Sequence, residues 1–216
     1  MIKLVELLNL NKMVYSDKIK PEHQKKIDME TDIISETIIP SQPFPENSSR
    51  KTREELEWLI EYNDRKIDKK FVKEGDDVIK VFESYCKDNN LNFDKKYYKK
   101  IMKESSKFIL KLKYHYNRPR PHQLGEYYEI PDFKIHKLDT AKTPSYPSGH
   151  TTQGCLIGEL LGREYPNHYE DFKKLSNFIS ESRLMARAHY PSDIEFGKKL
   201  AMYLLGGIKW LKSYYY

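Results

Sequence analysis

Apolar residues along this chain recur at helical spacing, and strand-like alternation is nearly absent. Residues 94–117 show this best: Ile101, Met102, Phe108, Ile109, Leu112 and Tyr116 cover one side of a helix. That helix is expected to stop near Arg118-Pro119-Arg120-Pro121, because proline disfavours helical backbone before it. A shorter helix is expected over 74–88, where Val78, Ile79, Phe82, Tyr85 and Cys86 repeat. Thr52 with Glu55 reads as a capping box that opens a helix through EELEWLIEYNDRK. Further helices are expected from Ser148 to about Arg163, from about His168 to Ala188, and from Ser192 to around Lys212. Ser192 and Glu195 read as a second capping box for the last of these.

The stretches between are irregular. Residues 1–50 include IIPSQPFPENSSRKT with Pro40, Pro43 and Pro45, a loop by composition. Residues 120–147 lack a period and hold Pro131, Pro144 and Pro147. The expected class is all-α, a compact bundle of about six or seven helices. It is read as a single domain over 1–216, with residues 1–50 as an irregular N-terminal extension. A loop as long as 120–147 inside a compact domain points to function.

Composition narrows the classes. At 216 residues the chain is long enough to bury a core without disulfides or metals. Cys86 and Cys155 are isolated thiols, which suits a reducing compartment rather than a disulfide framework. The net charge is +6, but 32 acidic residues accompany 38 basic ones and the signs are mixed along the chain, so no nucleic-acid stripe is expected. The start, MIKLVELLNLNKMVYSDK, has Glu6 and Asn9 inside its apolar run and no small-residue cleavage site, unlike a signal peptide. No 18 apolar residues run together, so no membrane span is expected, and the cytoplasm is the expected location.

Three segments hold candidate chemistry. KLKYHYNRPRP, residues 111–121, ends a helix in cations, which also suits a solvated helix C-terminus. In Pro147-Ser148-Gly149-His150, Ser148 is a natural N-cap, Gly149 permits close approach, and the first-turn N–H groups have no intrahelical partners. A helix start of that kind can hold an anion, although a capped helix with a surface histidine has the same sequence. In SRLMARAHYPSD, residues 182–193, His189 ends one helix and Asp193 opens the next. Both suit the helix dipole, and both suit a pair in which the carboxylate fixes one ring nitrogen and frees the other as a nucleophile.

Together these segments supply the parts of a phosphoryl-transfer site: cations and amides for the equatorial oxygens, a nucleophile, and an acid for the leaving oxygen. No carboxylate cluster suggests Mg²⁺ or a metal pair. His115, His122 and His136 have no metal-ligand spacing and read as loop or surface residues. A Cys-x5-Arg phosphatase loop would need Arg at 92 or 161, where the chain has Asn92 and Leu161.

In spacing, the three segments resemble the signature of the phosphatidic acid phosphatase type 2 and vanadium haloperoxidase superfamily: K-x6-R-P, P-S-G-H, and S-R-x5-H-x3-D. The second motif is Pro147–His150, and the third is Ser182-Arg183, then His189, then Asp193. The first fits in two registers, Lys111 with Arg118 and Lys113 with Arg120. Many members read K-x4-R-x-R-P, which favours Lys113 and Arg120 with Arg118 as a neighbour.

The resemblance implies the helical fold of the acid phosphatases and vanadium haloperoxidases, and a role for each matching residue. His189 would attack phosphorus, with Asp193 orienting it. His150 would protonate the departing alcohol and then activate water. Lys113, Arg120 and Arg183, with the amides of Ser148 and Gly149, would neutralise the phosphoryl oxygens. The motifs lie within 111–193, and the chain resembles the compact, soluble, class A non-specific acid phosphatases of that superfamily.

The implied activity is hydrolysis of a small phosphomonoester without metal or other cofactor. A vanadium haloperoxidase, with vanadate as its cofactor, is the second reading, and a non-enzymatic basic anion-binding module the third. Relatives often dimerise, so the resemblance leaves a homodimer open, with residues 1–50 as a candidate contact. One departure stands out: many soluble members have Gly two residues before the nucleophile, where this chain has Arg187, expected to add a substrate contact or narrow the pocket.

Overall fold

The computed structural model describes residues 4–36, 38–62, 66–125, 127–130, 133, 135–136 and 138–209. Among these it holds ten α-helices, one short 3₁₀ turn and an isolated antiparallel bridge between Ile34 and Ile208. The helices are α1 (Leu4–Lys12), α2 (Pro21–Ile27), α3 (Arg50–Glu61), α4 (Lys69–Glu74) and α5 (Val78–Asp88), followed by α6 (Lys95–Tyr116), α7 (Pro121–Gly125), α8 (Gly149–Glu164), α9 (Tyr169–Met185) and α10 (Pro191–Gly206). The class is the expected all-α one, with more helices than the six or seven expected. The extra ones include α2, α4 and α7, of seven, six and five residues, which are too short to show a helical period. The irregular reading of residues 1–50 is corrected by α1 and α2, and that of 120–147 by α7.

Helix α8 is the centre of the packing, with α9 and α10 against it and α5 and α6 closing the other sides. Phe82, Ile101, Phe108, Leu156, Leu160, Phe172, Ile179, Leu200 and Leu204 meet in one buried cluster. The α8–α9 contact depends on missing side chains. A Cβ on Gly158 would overlap the Ser176 hydroxyl, and one on Gly162 would overlap the Tyr169 ring.

Several helix ends differ from expectation: α5 opens at Val78 rather than near 74, α9 ends at Met185 rather than Ala188, and α10 ends at Gly206 rather than around Lys212. Helix α6 stops at Asn117, whose φ of 48° is left-handed and whose N–H donates to the Lys113 carbonyl at 2.8 Å. The cap of α3 is Ser49 rather than Thr52: its hydroxyl accepts from the Thr52 N–H at 3.1 Å, while Glu55 turns away towards α10. Helix α10 starts at Pro191 rather than Ser192, and Asp193 closes its first turn by accepting from the Tyr190 N–H at 3.0 Å. Glu195 instead pairs on the surface with Lys199 at 3.0 Å. A proline at the first helical position and a carboxylate three residues past the cap are favoured for the same reason: the first-turn N–H groups lack helical partners.

The N-terminal segment is fastened to the bundle. The buried Glu104 carboxylate of α6 accepts from the N–H groups of Asp32, Ile33 and Ile34 at 3.1, 2.8 and 2.9 Å. Ser35 donates to the Gly207 carbonyl at 2.9 Å, and Lys209 to that of Ile33 at 3.0 Å, so the segment also holds the end of α10. Helix α2 lies on α6, where the Tyr114 hydroxyl is 2.6 Å from His23 Nδ1. No described helix is long and apolar enough to cross a membrane.

Candidate active site

The end of α6, the start of α8, α9 and the α9–α10 turn converge on a cavity of about 360 Å³. Lys113, Arg120, Gly149, His150, Arg183 and His189 line it, so residues far apart in sequence face one space. Asp193 and Ser148 are fully buried and stand behind this lining.

The two registers of the first motif separate by burial. Lys113 is buried, and its Nζ donates to the carbonyls of Pro144 at 2.5 Å and Ser145 at 3.2 Å. Lys111 is exposed and faces Glu36 at 3.9 Å. Arg120 reaches the cavity, donating through Nη1 to the Ala188 carbonyl at 2.7 Å and through Nε to that of Thr143 at 2.8 Å. Arg118 lies behind it, bonded to Asp193 Oδ1 at 2.7 Å, the Ser192 hydroxyl at 2.8 Å and Glu55 Oε2 at 3.1 Å. Its guanidinium also stacks on the Tyr190 ring at 3.7 Å. Lys113 and Arg120 therefore share the cavity, and Arg118 braces the carboxylate.

The partners of His189 set its tautomer. Arg120 Nη1 lies 2.9 Å from Nε2 and can only donate, so Nε2 carries the lone pair. The proton is then on Nδ1, which donates to Asp193 Oδ2 at 3.1 Å. The same oxygen accepts from the Ser145 hydroxyl and the Tyr190 N–H. Burial, then the positive charges of Arg120 and Lys113, push the His189 pKa well below its ordinary value, outweighing the pull of Asp193. Burial would raise the Asp193 pKa, but Arg118, His189 and Ser145 outweigh it and hold the group far below the usual carboxylate range. The result is an imidazole with an oriented ring, favoured in its neutral form, with an unprotonated nitrogen at the cavity.

The cations are shifted as well. Burial lowers Arg120 to about 10 despite Asp193, and burial with the Arg120 charge lowers Lys113 well below the usual lysine value. Two cations desolvated beside one another favour a bound anion that neutralises both.

The helix start contributes less than the motif suggests. Ser148 caps α8, its hydroxyl accepting from the Thr151 N–H at 3.4 Å, but its own N–H already donates to the Asp193 carbonyl at 3.0 Å. The expectation that this amide faces an oxyanion is corrected, because α10 packs against the start of α8. The N–H groups of Gly149 and His150 remain as first-turn donors that no helical carbonyl can satisfy. A Cβ on Gly149 would meet Ile109 at 3.5 Å and Lys113 at 3.8 Å, ordinary contacts, so packing alone does not require glycine there.

Arg187 is not a cavity residue of His189. It is buried, and its Nε donates to the Leu59 carbonyl at 3.1 Å, at the C-terminal end of α3. Its φ of 52° is left-handed, the conformation in which glycine is unstrained and arginine is not. Among the described residues no cluster of His, Cys, Asp and Glu could hold a metal ion.

Sequence reading missed Glu55, Ser145 and Asp76. Glu55 joins Arg118 to the first turn of α10, Ser145 supports Asp193, and Asp76 Oδ1 lies 2.5 Å from Arg183 Nη1. All three lie outside the motifs, and no spacing in the sequence marks them.

An all-α fold brings three cations, two histidines and a helix start to one cavity, an arrangement whose chemistry suits an oxyanion. The PAP2 superfamily model matches residues 105–215, just over half of the 216-residue chain, and the chain belongs to that superfamily. It is 33% identical over 57 residues to a non-specific acid phosphatase of Salmonella typhimurium, covering 26% of this chain and 23% of that one. It is 35% identical over 60 residues to an acid phosphatase of Zymomonas mobilis, covering 28% of this chain and 23% of that one. A Salmonella typhi non-specific acid phosphatase is 32% identical over 57 residues, with 26% and 23% covered. The matched segment spans less than a quarter of the length of each relative.

Proposed function

We propose that the chain is a metal-independent acid phosphatase that hydrolyses small phosphomonoesters through a phosphohistidine. The reading is carried by one observation: His189, with Nδ1 on Asp193 and Nε2 facing Arg120, lines a cavity shared by Lys113, Arg120, Arg183 and His150.

In the first half-reaction Nε2 attacks phosphorus, the P–O ester bond breaks, and the alcohol oxygen takes a proton from His150. Arg120, whose Nη1 donates to Nε2, turns that N–H to a phosphoryl oxygen as substrate enters. Lys113, Arg183 and the first-turn amides of α8 hold the remaining oxygens. In the second half-reaction water attacks phosphorus, the P–N bond breaks, and His150 takes the water's proton. Asp193 stays ionised throughout and balances the positive charge that His189 acquires.

Hydrolysis of p-nitrophenyl phosphate across pH 4–8 in EDTA tests this, with and without vanadate, for wild type and His189→Ala. The expected result is metal-independent turnover that vanadate blocks and that falls by about 10³-fold or more in the variant. Turnover that needs a metal ion, or that survives in His189→Ala, would overturn it. No turnover with vanadate bound would redirect the assay to bromide and peroxide.

A further inference from the structure

The turn between α4 and α5 lines a neighbouring cavity that shares His150 with the first, and it touches the His150 ring. Gly75 makes this contact possible, since a Cβ there would overlap the Ser182 side chain of α9. With the turn pressed against α9, Asp76 meets three groups. Arg183 Nη1 donates to its Oδ1 at 2.5 Å and the Thr140 hydroxyl donates to the same oxygen at 2.9 Å. His150 Nε2 lies 3.1 Å from the Asp76 backbone carbonyl and 3.3 Å from Oδ1.

We propose that Asp76 is the positioning residue of the general acid: it fixes His150 as the Nε2–H tautomer, so that Nδ1 exchanges the proton with the leaving alcohol and the attacking water. This rests on the phosphatase reading above. Its chemistry follows from the partners, because a carbonyl oxygen only accepts, so the nitrogen facing it carries hydrogen in both charge states of the ring. Protonated His150 then holds Nε2–H towards Asp76 and Nδ1–H towards the cavity. Transfer of the Nδ1 proton to the alcohol leaves the neutral Nε2–H ring, ready to take a proton from water on the same nitrogen.

The charge of Asp76 matters as well as its carbonyl. Burial lowers the His150 pKa and Arg183 lowers it further, while Asp76 acts to raise it. The other charged or titratable groups lining the cavities that His150 faces are Lys20 and, on α2, Glu22, His23 and Lys26; Lys103 and Lys113 of α6; Arg120; Asp139 and Lys142 of the 138–143 loop; and His189, with Asp77 on the same turn. Cations dominate that set, and Asp76 is the carboxylate in contact with the ring. Without it the imidazolium would lose the opposite charge in contact with its ring and become more acidic.

Two measurements on the full chain test the proposal. In wild type, ¹⁵N shifts of the His150 ring above its pKa should report the Nε2–H tautomer, and the Nδ1–H tautomer would overturn the proposal without any variant. In Asp76→Asn, which keeps the carbonyl and removes the charge, the His150 titration and the alkaline limb of kcat/KM should both move to lower pH. An alkyl phosphate, whose leaving group needs its proton, should lose about tenfold more turnover than p-nitrophenyl phosphate, which needs it less. Equal losses for the two substrates with an unmoved His150 titration would mean Asp76 is only structural. If wild type hydrolyses neither substrate, the phosphatase reading fails, and the NMR titration still decides whether Asp76 sets the charge of His150.

Discussion

At the residue scale the site is organised by carboxylates that hold cations and imidazoles in fixed states. Asp193 takes Arg118 on one oxygen and His189 on the other, and Glu55 holds the far side of Arg118. This arrangement makes stability depend on pH in a definite direction. His189 titrates below its ordinary value in the folded chain and returns to about 6.5 on unfolding. As pH falls, the unfolded chain binds that proton first, so stability is lost from about 6.5 downward until the folded value is reached. His150, also lowered, acts in the same sense. Asp193 and Asp76 have depressed values, so their contribution is present above the unfolded carboxylate value and is lost only below about 4. Urea unfolding from pH 7 to 3 should show both windows. His189→Gln should make the fall that starts at about 6.5 shallower, with the His150 share remaining, while Arg118 and Ser145 still hold Asp193 down and keep an acid window. An unchanged slope in the upper window would mean that His189 is not held neutral.

At the element scale, legibility followed length and local chemistry. Helix α6 could be read from Ile101, Phe108 and Ile109, and its end from Pro119, because 22 residues give several turns of pattern and a proline stop. Helices α2 and α4 could not, because one or two turns carry no period. The motif residues were legible through their spacing, whereas Glu55, Ser145 and Asp76 act from a helix face and two turns whose partners are distant in sequence. Glu55 was even read as a cap, since its identity fits that role and only the tertiary fold shows its use on Ser192 and Arg118. Glu104 is a similar case: a carboxylate inside an apolar stripe whose three N–H donors come from 32–34. Glu104→Ala would leave the buried Ile34 N–H unpaired and release the partly exposed Asp32 and Ile33 N–H groups to water, a cost of about 1–3 kcal/mol. Guanidinium unfolding should register that loss, and hydrogen exchange should quicken at Ile33 and Ile34. A loss below about 0.5 kcal/mol would mean that water replaces the carboxylate without cost.

At the scale of the whole molecule, charge and shape act together. The chain carries +6, and much of the cationic character turns towards one cavity: Lys113, Arg120 and Arg183 inside it, with Lys20, Lys26 and Lys142 on its walls against Glu22 and Asp139. Lys20 and Lys26 come from the N-terminal segment that Glu104 and the Ile34–Ile208 bridge fasten to the bundle, so that segment shapes the field at the entrance. A dianionic phosphomonoester approaching this entrance is drawn over distances set by screening, with a Debye length of about 30 Å at 0.01 M salt and about 3 Å at 1 M. For the proposed reaction, kcat/KM should therefore fall several-fold between those limits, because the approach is screened, while kcat changes little. Reversing the wall charge with Lys20→Glu and Lys26→Glu should lower kcat/KM at low salt and flatten its salt dependence. Steady-state kinetics across ionic strength read both. A double variant with the wild-type salt slope would place the attraction wholly on the buried cations, Lys113, Arg120 and Arg183, and leave the N-terminal segment a structural role alone.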